Sequence, residues 1–386
     1  MIAAEEAEAL GLEPERLEAL LGRAAREIDA GRLPSCQLAV ARDGRVAVAT
    51  LGAATDDSRY LIFSVTKAVT AAAVWLVLGD GLLTPETKVA EALPSFARDG
   101  FDAVTVEHLL THTAGFPRAP LPPLEGATSE GRTAWFERWR LDWEPGTQTE
   151  YHPTSAHWVL AELLEQVTGT DYRVFVRDRL LAPLGLTQLR LGLPVDEQAD
   201  VVDVVPVGVD EQQMDGAPVV VTIDHLLAMD QPAVRAVGVP GAGAVSTAAD
   251  IALLYQAFLH DDAGLWDPAV LADATGNVRN RLVDPWTNVP ANRTLGLVVC
   301  GDDGNQGMRE LGRSAGPRTF GASGASGQVA WADPDTGVSF CYLTNGLEAD
   351  QVKAFLRAGS LSTLAGRLTL PMGAVAAAPS AQESPT

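Results

Sequence analysis

Tyr60-Leu-Ile-Phe-Ser-Val-Thr-Lys-Ala-Val-Thr-Ala-Ala-Ala-Val-Trp-Leu-Val-Leu78 is the stretch on which the fold of this chain turns. Residues 60–63 are extended in type, and from about Ser64 to Leu78 the run is apolar nearly all round, which predicts a central, buried helix. One charge interrupts it, Lys67. A serine in the first turn of such a helix has its hydroxyl near the positive helix end, where developing negative charge is favoured. Lys67, three residues on, lies on the same face about one turn away and can reach that hydroxyl. An ammonium in apolar surroundings is pushed towards neutrality, the state a proton acceptor needs. The plainer alternative is a capping serine followed by a snorkelling lysine. With 15 serines and three lysines in 386 residues, chance yields Ser-x-x-Lys about 0.1 times. A lone charge in an apolar helix is also costly without a purpose. A reactive pair is the better account.

Working outward, Pro14 opens a helix carried by Leu17, Leu20, Leu21, Ala24 and Ile28 and stopped by Gly31. Gln37-Leu-Ala-Val-Ala and Arg45-Val-Ala-Val-Ala-Thr-Leu flank Arg42-Asp43-Gly44, the signature of a β-hairpin. After Gly79 the pattern turns to helices and loops. Helices are expected over Thr105–His112, Ala156–Val167 and Tyr172–Leu181, with a Pro-rich surface loop over Pro117–Leu124. A helix over Ala248–Leu259 returns the chain to strand-like runs: Leu295–Cys300, Gln328–Ala332 and Val338–Thr344. Asp333–Gly337 turns between the last two. A final helix spans Glu348 to about Leu364. The expectation is an α+β fold: one antiparallel sheet flanked by helices, built from both ends of the chain, with a mostly helical insertion. The sheet domain would comprise 1–78 and 238–370 and the helical domain 79–237. An Ala/Pro/Ser-rich tail over 371–386 is expected to be disordered.

Composition excludes several functions. Lys+Arg number 28 against 50 Asp+Glu, a formal charge of −22, so nucleic acid would be repelled. The longest apolar stretch, Ala68–Gly79, is well short of the ~20 residues a bilayer needs, so no membrane span is expected. The amino end is acidic where a leader peptide would be basic, and Cys36, Cys300 and Cys341 form neither a disulfide framework nor a metal-binding spacing. A cytoplasmic location follows as the expectation. His108 and His112 would share one helical face, as in zinc proteases, but Leu109 stands where the general base belongs, and no metal is expected. Gly241-Ala-Gly243 lacks a preceding strand and a third glycine, so it reads as a tight turn, not a dinucleotide loop. No Gly-x-Ser-x-Gly occurs. No cofactor is expected.

Phe63-Ser-Val-Thr-Lys-Ala resembles the first motif of the serine β-lactamase and penicillin-binding-protein superfamily, especially its class C β-lactamase and family VIII esterase branch. Further stretches are similar to that family in the same order. They are Val106-Glu-His-Leu-Leu-Thr-His-Thr-Ala-Gly-Phe-Pro117, Glu144-Pro-Gly-Thr-Gln-Thr-Glu-Tyr151, Val167-Thr-Gly and Pro183-Leu-Gly-Leu. Gly241-Ala-Gly-Ala-Val-Ser-Thr-Ala-Ala-Asp250, Phe320-Gly-Ala-Ser-Gly324 and Trp331-Ala-Asp-Pro-Asp-Thr-Gly337 complete the set, which covers about residues 10 to 365. The resemblance implies a β-lactamase-like fold, with Ser64 as nucleophile, Lys67 as its proton-handling partner and Tyr151 as the second-motif tyrosine that accepts the serine proton. The backbone N–H groups of Ser64 and Ala325 would form the oxyanion hole. His152, Ala322, Ser323 and Gly324 would border the substrate. A tyrosine is a poor base at its free pKa near 10, and Lys67 is the one evident source of positive charge for it.

Two departures bear on substrate. The second motif ordinarily reads Tyr-x-Asn, and here Pro153 offers no side-chain amide. The third motif ordinarily begins with Lys, His or Trp, and the methyl of Ala322 cannot pair with a carboxylate. Arg318, four residues upstream, lies too far along a strand to substitute. The expected function is a serine hydrolase of small, neutral carboxylic esters, with a small-molecule substrate as its partner. β-Lactam or amide hydrolysis, or acyl transfer, is the alternative within the same chemistry. A catalytically weak binding protein of the penicillin-recognition fold is the alternative outside it. The loop 117–129 and the segment 201–221 are expected to shape the pocket.

Overall fold

The computed structural model describes residues 2–208, 222–309 and 311–369. The predicted tail lies outside them, as does most of the segment 201–221. Six strands form one antiparallel sheet: β1 (Ser35–Arg42), β2 (Arg45–Gly52), β3 (Val298–Val299), β4 (Phe320–Gly324), β5 (Gln328–Asp333) and β6 (Val338–Thr344). Their spatial order is β2-β1-β6-β5-β4-β3, so a strand from each end of the chain meets at the centre. The Asp43-Gly44 hairpin sets the β1–β2 register, with Arg42 opposite Arg45 and Val40 opposite Ala47. Asp43 and Gly44 both have positive φ, 51° and 71°, as a two-residue hairpin turn demands. The strand expected over 295–300 is shorter than its apolar pattern suggests. Gly296 at φ +107° breaks it, and a Cβ there would meet the Ala71 Cβ at 2.4 Å.

Alternation along each strand sorts side chains onto two faces. Leu38, Val40, Phe340 and Tyr342 join Leu17, Leu20 and Ala24 of α1 (Pro14–Asp29) and Ala358 and Leu361 of a carboxy-terminal helix in one core. Ala39, Ala41, Cys341 and Leu343 face the other way, into a larger core shared with the helical segments. At its centre lies α2 (Thr66–Gly79), followed in sequence by α3 (Ser155–Thr168), α4 (Ala248–His260) and the carboxy-terminal α5 (Gln351–Ala365). All but the last residue of α2 are buried, as an all-round apolar helix requires. Its polar groups are satisfied by distant backbone: the Trp75 indole donates to Leu295 O at 2.8 Å and the Thr70 hydroxyl to Pro240 O at 2.6 Å. These anchors give α2 a single orientation and register, and Lys67 inherits it.

Candidate active site

Ser64 stands where an extended stretch meets α2. Tyr60–Leu61 pairs with Ala244–Ser246, and Ile62 N–H continues that pairing to Ala244 O at 3.0 Å. Phe63 then takes φ +44° and opens a 3₁₀ turn, Phe63–Val65, ahead of α2. The helix expected from Ser64 therefore begins two residues later, with the serine on a tighter turn. A left-handed, fully buried phenylalanine costs about 1–2 kcal/mol, held by the packing of its ring, and it turns Ser64 outward from an otherwise buried segment. The Ser64 side chain is partly exposed while its neighbours are buried.

Lys67 Nζ donates to Ser64 Oγ at 3.0 Å, to Pro153 O at 2.7 Å and to Gly241 O at 2.8 Å. Two carbonyls thus hold two of its hydrogens, and the third position faces the serine. As an ammonium it donates there; as an amine it presents a lone pair to the serine hydrogen. Burial first, then the charge of Arg293, push Lys67 well below its ordinary value. The turn at Gly241-Ala-Gly243, closed by Gly243 N–H to Val239 O at 2.7 Å, is the tight turn expected. Its carbonyl also orients the lysine, a role no side-chain pattern could reveal.

Tyr151 comes from the loop before α3, and its hydroxyl donates to Ser64 Oγ at 2.6 Å. Lys67 Nζ lies 4.7 Å from the centre of the Tyr151 ring. The three residues matched by motif therefore meet at one atom. The loop is held by His112: its O accepts from Glu150 N–H at 3.3 Å and its Nδ1 from His152 N–H at 3.0 Å. Its ring lies 4.9 Å from that of Tyr151. His108 and His112 do not share a helical face as expected. The helix ends at Leu110, and His112 has φ +61°, which swings its ring under the tyrosine while His108 remains against Gly146. Among the described residues no group of three or more His, Cys, Asp or Glu could hold a metal ion.

Expected to border the substrate, His152 is instead fully buried, its Nε2 accepting from Phe116 N–H at 3.3 Å and its Nδ1 paired with Glu150 O at 2.7 Å. Burial pushes its imidazole down to about 3, so it is neutral and structural. His157, buried beside it, is also driven well down by burial and then by Lys67.

Ala322, Ser323 and Gly324 follow one another along the partly exposed end of β4, and Ala325 opens the 3₁₀ turn that follows it. Gly324 abuts the nucleophile: a Cβ there would lie 3.2 Å from Ser64 N and 2.9 Å from Ile62 O. Only glycine lets the strand edge approach this closely. Arg318 is exposed and paired with Asp335, away from the serine.

One charged residue beside the site has no counterpart among the sequence expectations. Arg293 Cζ lies 5.7 Å from the Tyr151 ring centre, so Lys67 is not the sole cation beside the tyrosine. No motif flags Arg293. A signal lay only in the arginine standing just ahead of the apolar run 295–300.

The beta-lactamase family model matches residues 21–362. The chain is 30% identical over 321 residues to an esterase/beta-lactamase, LipL, of Mycobacterium tuberculosis, covering 75% of this chain and 70% of that one. Among solved structures it resembles a penicillin-binding-protein homologue from Caulobacter crescentus, with TM-score 0.75, 26% identity and coverage of 92% and 98%. EstA from Arthrobacter nitroguajacolicus shares the fold at TM-score 0.75, 21% identity and the same coverage.

Proposed function

The chain belongs to the beta-lactamase family as a serine hydrolase of that fold, and from this premise we propose that it cleaves small, neutral carboxylic esters through a Ser64 acyl-enzyme. The observation that carries the reading is the convergence of Tyr151 and Lys67 on Ser64 Oγ, at 2.6 and 3.0 Å. Ser64 attacks the ester carbonyl while its proton passes to the Tyr151–Lys67 pair. The carbonyl oxygen gains charge and is stabilised by the N–H groups of Ser64 and Ala325. The pair then protonates the leaving alcohol, and a water activated by the same groups releases the acid.

Two features favour esters over anionic substrates. Ala322 brings a methyl to the cleft strand where a cation would pair with a carboxylate, and Pro153 turns its carbonyl to Lys67 and has no amide to offer an acylamino group. The esterase/beta-lactamase named among the relatives supports ester hydrolysis and keeps β-lactam cleavage as the second reading. Ser64→Ala should abolish turnover of p-nitrophenyl butyrate and covalent labelling by a fluorophosphonate. Turnover surviving at the wild-type rate would reassign the nucleophile. A wild-type chain that neither labels nor turns over would instead be a binding protein. No helix among the described residues is long and apolar enough to cross a membrane.

A further inference from the structure

A tyrosine accepts a proton at neutral pH only if lasting positive charge stands beside it. The groups around Tyr151 differ in their ability to supply it. Lys67 of α2 is destabilised as an ammonium by its burial. His112, His152 and His157 are all held neutral by burial. Glu150, next in the chain, is ion-paired with Arg118. Ala322 on β4 carries no charge, and Arg318, ahead of that strand, is committed to Asp335 at the surface. Among the described residues, Arg293 differs from Lys67 and the histidines in keeping its charge. Its guanidinium cannot lose its proton in a protein, its Nε is buried, and its Cζ lies 5.7 Å from the Tyr151 ring centre.

The backbone of Arg293 is well anchored. It bridges antiparallel to Asn280, donating to Asn280 O at 3.1 Å and accepting from Asn280 N–H at 3.0 Å, and it bridges to Val298 on its other side. Val298 in turn pairs with Gly321, next to Ala322. Asn280 ties the segment to the tyrosine loop through Thr149 Oγ1 at 2.9 Å. The arginine thus reaches Tyr151 from beyond the strand that lacks a cation.

We infer that Arg293 is a positioning residue that holds Tyr151 ready as a phenolate, supplying from outside β3 the positive charge that Ala322 no longer brings from β4. The inference rests on the reading of Tyr151 as the proton acceptor. It also separates two tasks that one third-motif cation would perform together: the base is activated while the β4 edge stays uncharged and suited to neutral substrates.

The protein provides its own probe. Of its five tyrosines, Tyr60, Tyr172, Tyr255 and Tyr342 are buried and pushed above the ordinary tyrosine range by that burial. A phenolate absorbance that develops below about pH 10 therefore belongs to Tyr151 and should vanish in Tyr151→Phe. In Arg293→Gln this titration should move up by about one unit, and in Arg293→Lys by less than about half. The acid limb of kcat/KM should move with it, lowering turnover at neutral pH about tenfold and recovering at higher pH. Arg293→Met serves if the glutamine variant does not fold. A Tyr151 titration unmoved in a folded neutral variant would overturn the inference. The titration needs no turnover, so its outcome is independent of the Ser64→Ala test of the hydrolase reading.

Discussion

A methyl group added at Gly324 tests whether the end of β4 holds the Ala325 amide over the reacting carbonyl. Gly324 has φ −134° and ψ 163°, extended backbone open to any L-residue, so Gly324→Ala introduces no conformational strain of its own. The cost is contact. The new Cβ would stand 2.9 Å from Ile62 O, 3.2 Å from Ser64 N and 3.4 Å from Val65 N. All three are backbone atoms leading into a helix pinned on several sides, so no side-chain rotation relieves them. Overpacking of this kind costs about 1–3 kcal/mol, and the cheaper relief is for the end of β4 to move back. That shift carries the Ala325 amide away from Ser64. Losing one oxyanion donor lowers kcat by about 10²–10³, or about 2.7–4 kcal/mol. The expected outcome is a folded enzyme, about 1–3 kcal/mol less stable to urea, with kcat for p-nitrophenyl butyrate reduced about 10²–10³-fold. Wild-type kcat and stability together would mean that β4 does not close over the nucleophile, and the oxyanion hole would have to be sought elsewhere.

Lys67→Ala and Tyr151→Phe should each lower kcat by about 10²–10⁴ with circular dichroism unchanged. The double variant should be little worse than either, because the two act as one unit; additive losses in steady-state kinetics would argue against a shared proton path. Ala322→Lys should raise the ratio of kcat/KM for nitrocefin to that for p-nitrophenyl butyrate about ten- to a hundredfold, and a constant ratio would remove residue 322 from the substrate's path. Away from the site, Glu27 is opposed by its burial, which raises its pKa, but hydrogen bonds from Arg32 and Arg23 and the Arg357 charge outweigh this and hold it at about 2. A carboxyl depressed on folding stabilises above its unfolded value near 4.5, and that contribution is lost as pH falls towards about 2. Acid denaturation followed by fluorescence should therefore be shallower across this window in Glu27→Gln.

Local pattern carried much of the fold. Asp43-Gly44 between alternating runs specified a hairpin, and Pro14, Gly31 and the all-round apolar run after Ser64 marked helices because capping, turn chemistry and periodicity act within a few residues. Ser64, Lys67 and Tyr151 were legible for a different reason: the first two share one helical turn, and the tyrosine stood in an ordered set of stretches similar to one family. What tertiary structure decided was direction and distance. The pattern of 105–112 reads as one helix, yet the chain leaves it at Leu110 and His112 turns left-handed to seat a loop 40 residues away in sequence. His152, adjacent to Tyr151 in the chain, points into the core. The carbonyls that orient Lys67 belong to Pro153 and Gly241, groups every residue possesses and no pattern distinguishes. Arg293 reaches Tyr151 only because strand pairing brings Asn280, Val298 and β4 side by side. Sequence thus determined which chemistry the chain could carry, since that depends on residue types at short spacing. The fold determined which cation serves the tyrosine, since a charge acts through space and is indifferent to the 142 positions that separate the two along the chain.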